Sequence, residues 1–62
     1  MKRRDLLHVL LNQGCRLVRE GAEHSIWENP ATHHRASVPR HREIPEFTAA
    51  RIFKQLGVER PE

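Results

Sequence analysis

Apolar residues recur with a helical period near both ends of the chain. Over residues 5–13 the leucines are separated by one, three and four positions, which places them on one stripe of a helix that ends at Gly14. A second helix is predicted from Pro45, which suits a first turn, to Gly57, which suits a C-terminal cap. Its predicted apolar stripe recurs at spacings of three: Phe47, Ala50, Phe53 and Leu56.

Three short segments between these helices have the residue pattern of strands. Residues 15–20 alternate in part, with Cys15 and Leu17 on one side, and residues 24–28 form a β-favouring run. The turn residues at 29–32 join that run to a third strand over residues 35–38, which Pro39 ends. We therefore predict an α+β fold of order α-β-β-β-α, with an antiparallel meander, both helices on one sheet face and the other face open to a partner.

The length of 62 residues predicts a single domain over residues 1–62, and 37% hydrophobic residues allow only a small core. A deep substrate cavity is not expected in such a domain. Chemistry on a surface or in a shallow groove suits a polymeric substrate better than an enclosed small molecule.

The chain has 11 Lys and Arg against 8 Asp and Glu, a formal charge of +3, and most of the basic residues are Arg. Arginine binds phosphate in a bidentate manner, although a solvated basic surface has the same composition. The single Cys15 cannot form an internal disulfide, which favours a reducing, cytoplasmic location. No stretch approaches the roughly 20 apolar residues of a membrane span.

His24 is placed at the start of a strand, directly after a turn that contains Gly21. An imidazole in such a position can take the proton of an RNA 2′-hydroxyl while nearby Arg side chains stabilise the phosphate. The alternative is an ordinary polar residue at a strand edge. His33, His34 and His41 flank the third strand, but they match no zinc-ligand spacing, and no metal or other cofactor is predicted.

Basic residues are concentrated from the third strand to the start of the second helix, with Arg35, Arg40 and Arg42 among them. Such clusters bind phosphate oxygens, and a solvated basic loop is the competing interpretation. Trp27 and the apolar helix residues are assigned to packing and not to chemistry.

Several of these segments together resemble the HicA toxins of bacterial toxin–antitoxin pairs. The resemblance is carried by residues 2–7, 12–15 and 52–57, by residues 19–21 with His24 three positions later and Trp27 beyond, and by residues 38–41. It implies a fold like that of double-stranded-RNA-binding domains, metal-independent cleavage of single-stranded or messenger RNA, and neutralisation by a HicB-type antitoxin protein. The catalytic His of the family corresponds to His24.

On this interpretation His24 is the general base, and four arginines hold the RNA backbone: Arg19, Arg35, Arg40 and Arg42. His41 is a candidate for the acid that protonates the leaving group. Because a base must be neutral, cleavage should fall below about pH 6.5, the ordinary range of imidazole. The chain departs from many family members at Glu23, which can steer the imidazole but also repels phosphate.

Two other functions fit the same residues. A non-catalytic RNA-binding module needs an open basic sheet but no catalytic His. A protein-interaction domain needs only an exposed surface for a partner chain. Loss of function on replacing His24 separates a nuclease from a binding module, and a steep dependence on salt separates phosphate binding from an apolar interface.

Overall fold

Two helices pack on a three-stranded sheet in the computed structural model, which describes residues 1–60. The elements are α1 (Arg3–Asn12), β1 (Arg16–Glu20), β2 (His24–Asn29), β3 (His34–Pro39) and α2 (Glu46–Leu56). The strands are antiparallel with the order β1-β2-β3. The predicted α+β class and the predicted order α-β-β-β-α are confirmed. No helix among the described residues is long and apolar enough to cross a membrane.

The hydrophobic core lies between the helices and one face of the sheet. The helix residues in it come from both helices: Leu6, Leu10, Ala49, Ile52, Phe53 and Leu56. The sheet contributes Trp27, Ala36 and Val38, and Ile44 enters from the loop before α2. Trp27 is only 5% exposed, so its predicted packing role is confirmed.

The predicted apolar stripe of the second helix is wrong at its beginning. Phe47 is 78% exposed and Ala50 is also exposed, whereas Ala49 and Ile52 are buried with Phe53. Residues three apart are rotated by about 60° from each other on a helix of 3.6 residues per turn, so a series of threes leaves the core within a few steps. The buried face instead alternates spacings of three and four, as an amphipathic helix does.

The first strand is more exposed than its predicted alternation suggests. Cys15 is buried immediately before β1, but Leu17 is 45% exposed, and the pairing register shifts between Leu17 and Arg19. Such a shift is a β-bulge or irregularity, which changes the directions of the side chains. Helix α2 packs against β3, so β1 lies at the opposite edge of the sheet and is covered less.

Side chains of β2 alternate between the two sheet faces. Ser25, Trp27 and Asn29 are buried towards the helices, and Asn29 Nδ2 donates a hydrogen bond of 2.8 Å to the Leu56 carbonyl at the end of α2. His24 and Glu28 therefore belong to the other face, which we call the open face. Left-handed Gly57, at φ 69°, follows Leu56 and ends α2 as predicted.

Candidate functional site

The turn between β1 and β2 places His24 at the rim of the open face. His24 is exposed, begins β2 and is the register partner of Pro39 on β3. The Gly21 N–H donates a hydrogen bond of 2.8 Å to the His24 carbonyl. A Cβ atom at Gly21 would lie 2.9 Å from that same oxygen, which is closer than such contacts allow, so this turn requires glycine.

His24 lines three shallow depressions, and each contains a predicted phosphate-binding arginine. The first, of about 400 Å³, also contains Arg19. The second, of about 320 Å³, contains Arg40 and His41. The third, of about 260 Å³, contains Arg35 and lies between β3 and α2. Arg19, Arg40 and the candidate acid His41 thus share depressions with the imidazole at this end of the sheet. Arg35 pairs with Glu28, four positions along β2 from His24, and shares with it only the lining of the third depression.

Arg42 lies outside the three depressions that His24 lines. It lines a neighbouring depression of about 510 Å³ at the start of α1, and Arg40 lines this depression as well as one beside His24. The fourth predicted arginine therefore belongs to an adjoining surface and lines none of the three depressions described above.

The four arginines differ in how far their charge is already paired. Arg35 Nε lies 3.2 Å from the Glu28 carboxylate, and Arg40 Nη1 lies 3.2 Å from a Glu20 carboxylate oxygen and 3.1 Å from the Gly21 carbonyl. Arg19 and Arg42 form no ion pair with any residue from 1 to 60. These two have the guanidinium groups most available to a phosphate.

A charged row that the sequence analysis missed crosses the open face at right angles to the strands. Arg16, Glu28 and Arg35 are register partners on three adjacent strands. Arg16 Nη2 lies 2.7 Å from one carboxylate oxygen of Glu28, and Arg35 donates to the other. Hydrogen bonds from Arg16 and then Arg35 hold the pKa of the Glu28 carboxyl below its ordinary range. Only the strand register could reveal this row.

A buried serine adjacent to His24 holds together the chain segments around it. The Ser25 side chain is fully buried, accepts a hydrogen bond of 2.8 Å from Arg3 Nη2 and donates one of 2.5 Å to Glu20 Oε1. Arg3 Nε also donates to the Pro39 carbonyl at 2.9 Å. This network links α1 to all three strands beside His24. No local pattern signals it, because Arg3 and Ser25 are far apart in sequence.

Helix α2 also contributes to the site, which the sequence analysis did not predict. Thr48, Arg51 and Gln55 line the third depression opposite Arg35. The Arg51 guanidinium carbon lies 5.8 Å from the centroid of the Phe47 ring, so this exposed pair forms a cation–π contact. Arg51 therefore adds a further cation to the groove that His24 lines.

The two histidines of the turn before β3 and of its first position are not part of this arrangement. His33, with φ 63°, lies in the turn between β2 and β3, and His34 begins β3 at the end remote from His24. Among residues 1–60, no group of three or more His, Cys, Asp or Glu side chains is placed to hold a metal ion.

Comparison with known proteins identifies the chain at the family level. Residues 3–58 match the family model of the HicA toxin of bacterial toxin–antitoxin systems, which includes both helices and all three strands. Neither the curated proteins nor the solved structures give a match.

Proposed function

Because this chain belongs to the HicA toxin family, and is therefore the toxin of a toxin–antitoxin system, we propose that it is an endoribonuclease that cleaves messenger RNA with His24 as the catalytic base. The observation that carries the proposal is the place of this side chain. His24 is exposed at the junction of three depressions that contain Arg19, Arg35 and Arg40. An accessible base surrounded by cations is what RNA cleavage through the 2′-hydroxyl requires.

In the proposed reaction, neutral His24 accepts the proton of a 2′-hydroxyl. The resulting oxygen attacks the adjacent phosphorus, the bond from phosphorus to the 5′-oxygen breaks, and a 2′,3′-cyclic phosphate is formed. His41 is the proposed donor of the proton to the 5′-oxygen, since it lines one depression together with His24. No step requires a metal ion.

The arginines have two proposed roles. Arg19 and Arg42, which form no ion pair with a residue from 1 to 60, bind backbone phosphates directly. Arg35 and Arg40 form ion pairs with Glu28 and Glu20, and these pairs stabilise the sheet. Their second proposed role is to stabilise the negative charge of the transition state. A guanidinium has five N–H donors, so one side chain can fill both roles.

The family membership implies a partner, because a toxin of this kind must be held inactive. We propose a HicB-type antitoxin whose acidic surface covers His24 and the surrounding arginines. Charge complementarity of this kind favours rapid association and excludes RNA from the same surface.

The proposal is tested by expressing the chain in bacteria and following growth and total messenger RNA. His24→Ala should abolish both growth arrest and messenger RNA loss at equal protein abundance. His34→Ala is the matched control, since it removes an exposed histidine of the same sheet away from the site, and it should retain both effects. If His24→Ala arrests growth like the natural chain while messenger RNA survives, the protein acts by binding and the nuclease proposal is wrong.

A further inference from the structure

The depression at the start of α1 is larger than any that His24 lines, and the cleavage chemistry leaves most of it without a role. Its volume is about 510 Å³. Leu7 is its one apolar lining residue, and the others are cationic: Lys2, Arg3, Arg4, Arg40 and Arg42. We call this surface the N-terminal basic depression.

The cations of this depression are largely available to a ligand. Arg3 is occupied by Ser25 and Pro39, as described above. Lys2 forms no ion pair with a described residue, and the exposed Arg4 has only a loose contact of 3.9 Å with Asp5. An exposed pair at that separation contributes little, so Asp5 does not neutralise Arg4 effectively.

The N-terminal basic depression is continuous with the site of His24. Arg40 lines both this depression and the one that His24 shares with His41. His24 in turn lines the depression of Arg19. A path of cations therefore runs from Arg19 past His24 and Arg40 to Lys2 and Arg4, and among the described residues Glu23 is the one carboxylate that lines it, beside His24.

The chemistry of this path favours a nucleic-acid backbone over a protein partner. A single strand of RNA has one negative charge for each nucleotide, so neighbouring phosphates meet successive cations along such a path. The core of a protein interface is instead apolar and depleted of charge, and Leu7, which is only half-exposed, is the one apolar side chain here.

We propose that the N-terminal basic depression binds backbone phosphates of the RNA strand that flank the cleaved bond, through Lys2 and Arg4. The inference rests on the proposed function, since it assumes that the strand also crosses His24. It assigns a substrate-binding role to cations of α1 and its N-terminal flank, outside the predicted set of arginines.

Binding of an RNA that cannot be cleaved tests this site separately from catalysis. The probe is a fluorescent 2′-O-methyl oligouridylate of twelve nucleotides, which lacks the attacking hydroxyl, and the readout is its anisotropy with the full chain at several salt concentrations. Lys2→Gln and Arg4→Gln should each weaken binding about two- to fivefold, as expected for an exposed ion pair. Each should also reduce the slope of log affinity against log salt by roughly 0.7, the value for one phosphate on a single strand.

Lys54→Gln is the matched control, because it removes one exposed charge from α2 away from the path. It should change neither the affinity nor the slope. Equal effects of all three substitutions would mean that only net charge matters and would overturn the proposal. Unchanged affinity and unchanged salt slope for both Lys2→Gln and Arg4→Gln would also overturn it. Cleavage of unmodified RNA by the natural chain is measured separately, so a failure of the nuclease proposal can be distinguished from a failure of the phosphate-binding proposal.

Discussion

His24 is held in place by residues that have no role in the proposed cleavage reaction. Gly21 lies so close to the His24 carbonyl oxygen that no side chain fits there. The next residue of the strand, Ser25, is held on the buried face by hydrogen bonds to Arg3 and Glu20. The imidazole remains exposed while the backbone on both sides is held by hydrogen bonds. A site on the surface of a small domain can be well positioned in this way without being buried.

At the residue scale, Ser25→Ala should lower the free energy of unfolding by about 1–3 kcal/mol, because the Arg3 guanidinium and the Glu20 carboxylate lose their buried partner. Urea denaturation followed by circular dichroism measures this change. Ser37→Ala removes an exposed serine from the neighbouring strand and should alter stability by less than about 0.5 kcal/mol. Equal small effects of the two substitutions would contradict a structural role for the network.

At the scale of single elements, α2 has two different surfaces. Its core face packs on β3 through Ile52 and Phe53, while Arg51 and Gln55 line the groove that His24 also lines. Phe47 and Arg51 are four residues apart, so they lie on the same outward side of the helix, away from the core face. The rotation of α2 about its own axis therefore determines which of its residues pack in the core and which cations line the third depression.

Substitution of each of the two phenylalanines of α2 tests this orientation of the helix. Phe53→Ala should lower the free energy of unfolding by about 3–5 kcal/mol, since Phe53 is buried in the core. Phe47→Ala should change it by no more than about 0.5 kcal/mol, since its ring is mostly exposed. Thermal or urea unfolding of both variants gives the comparison. A large loss for Phe47→Ala would restore the stripe that the three-residue spacing predicts.

At the scale of the whole molecule, the two sheet faces have different environments. The helices cover one face with an apolar core, and the open face has polar and charged side chains, some of which pair across the strands. Glu28 has a central place in this balance, because it links β2 to both neighbouring strands through Arg16 and Arg35. The same carboxylate limits how much positive charge the open face presents to the proposed RNA substrate.

The lowered pKa of Glu28 predicts how stability depends on acid. A carboxyl whose pKa is lower in the folded than in the unfolded state stabilises the fold fully above its ordinary pKa of 4.5, and this contribution is lost as the pH falls through the lower folded value. Glu28→Gln should therefore destabilise the chain most at neutral pH, and the difference from the natural chain should shrink below about pH 4.5.

Urea titrations between about pH 3 and pH 7 measure this difference. The control is Glu23→Gln, which removes an exposed carboxylate that pairs with no residue from 1 to 60. A destabilisation by Glu28→Gln that stays constant across the range would show that the ion pairs do not contribute.

Local pattern and composition were sufficient to predict the order of the helices and strands, and to predict that His24 begins the second strand. Leucine spacing, glycines after helices and the turn residues at 29–32 act within a few positions of the chain, so they can be recognised from the sequence alone. The position of His24 after the Gly21 turn predicted an exposed imidazole, which an ordinary polar residue at a strand edge also fits. The family resemblance, which rests on residue identities, made His24 the candidate catalytic base among the five histidines.

Tertiary structure alone decided which distant residues meet. The row of Arg16, Glu28 and Arg35 depends on strand register, and the contact of Arg3 with Ser25 depends on how α1 docks beside the sheet. The exposure of Phe47 depends on the rotation of α2 about its axis. Each of these is set by the packing of the whole core, a sum of many weak contacts between residues far apart in sequence, and therefore no segment of the chain encodes them by itself.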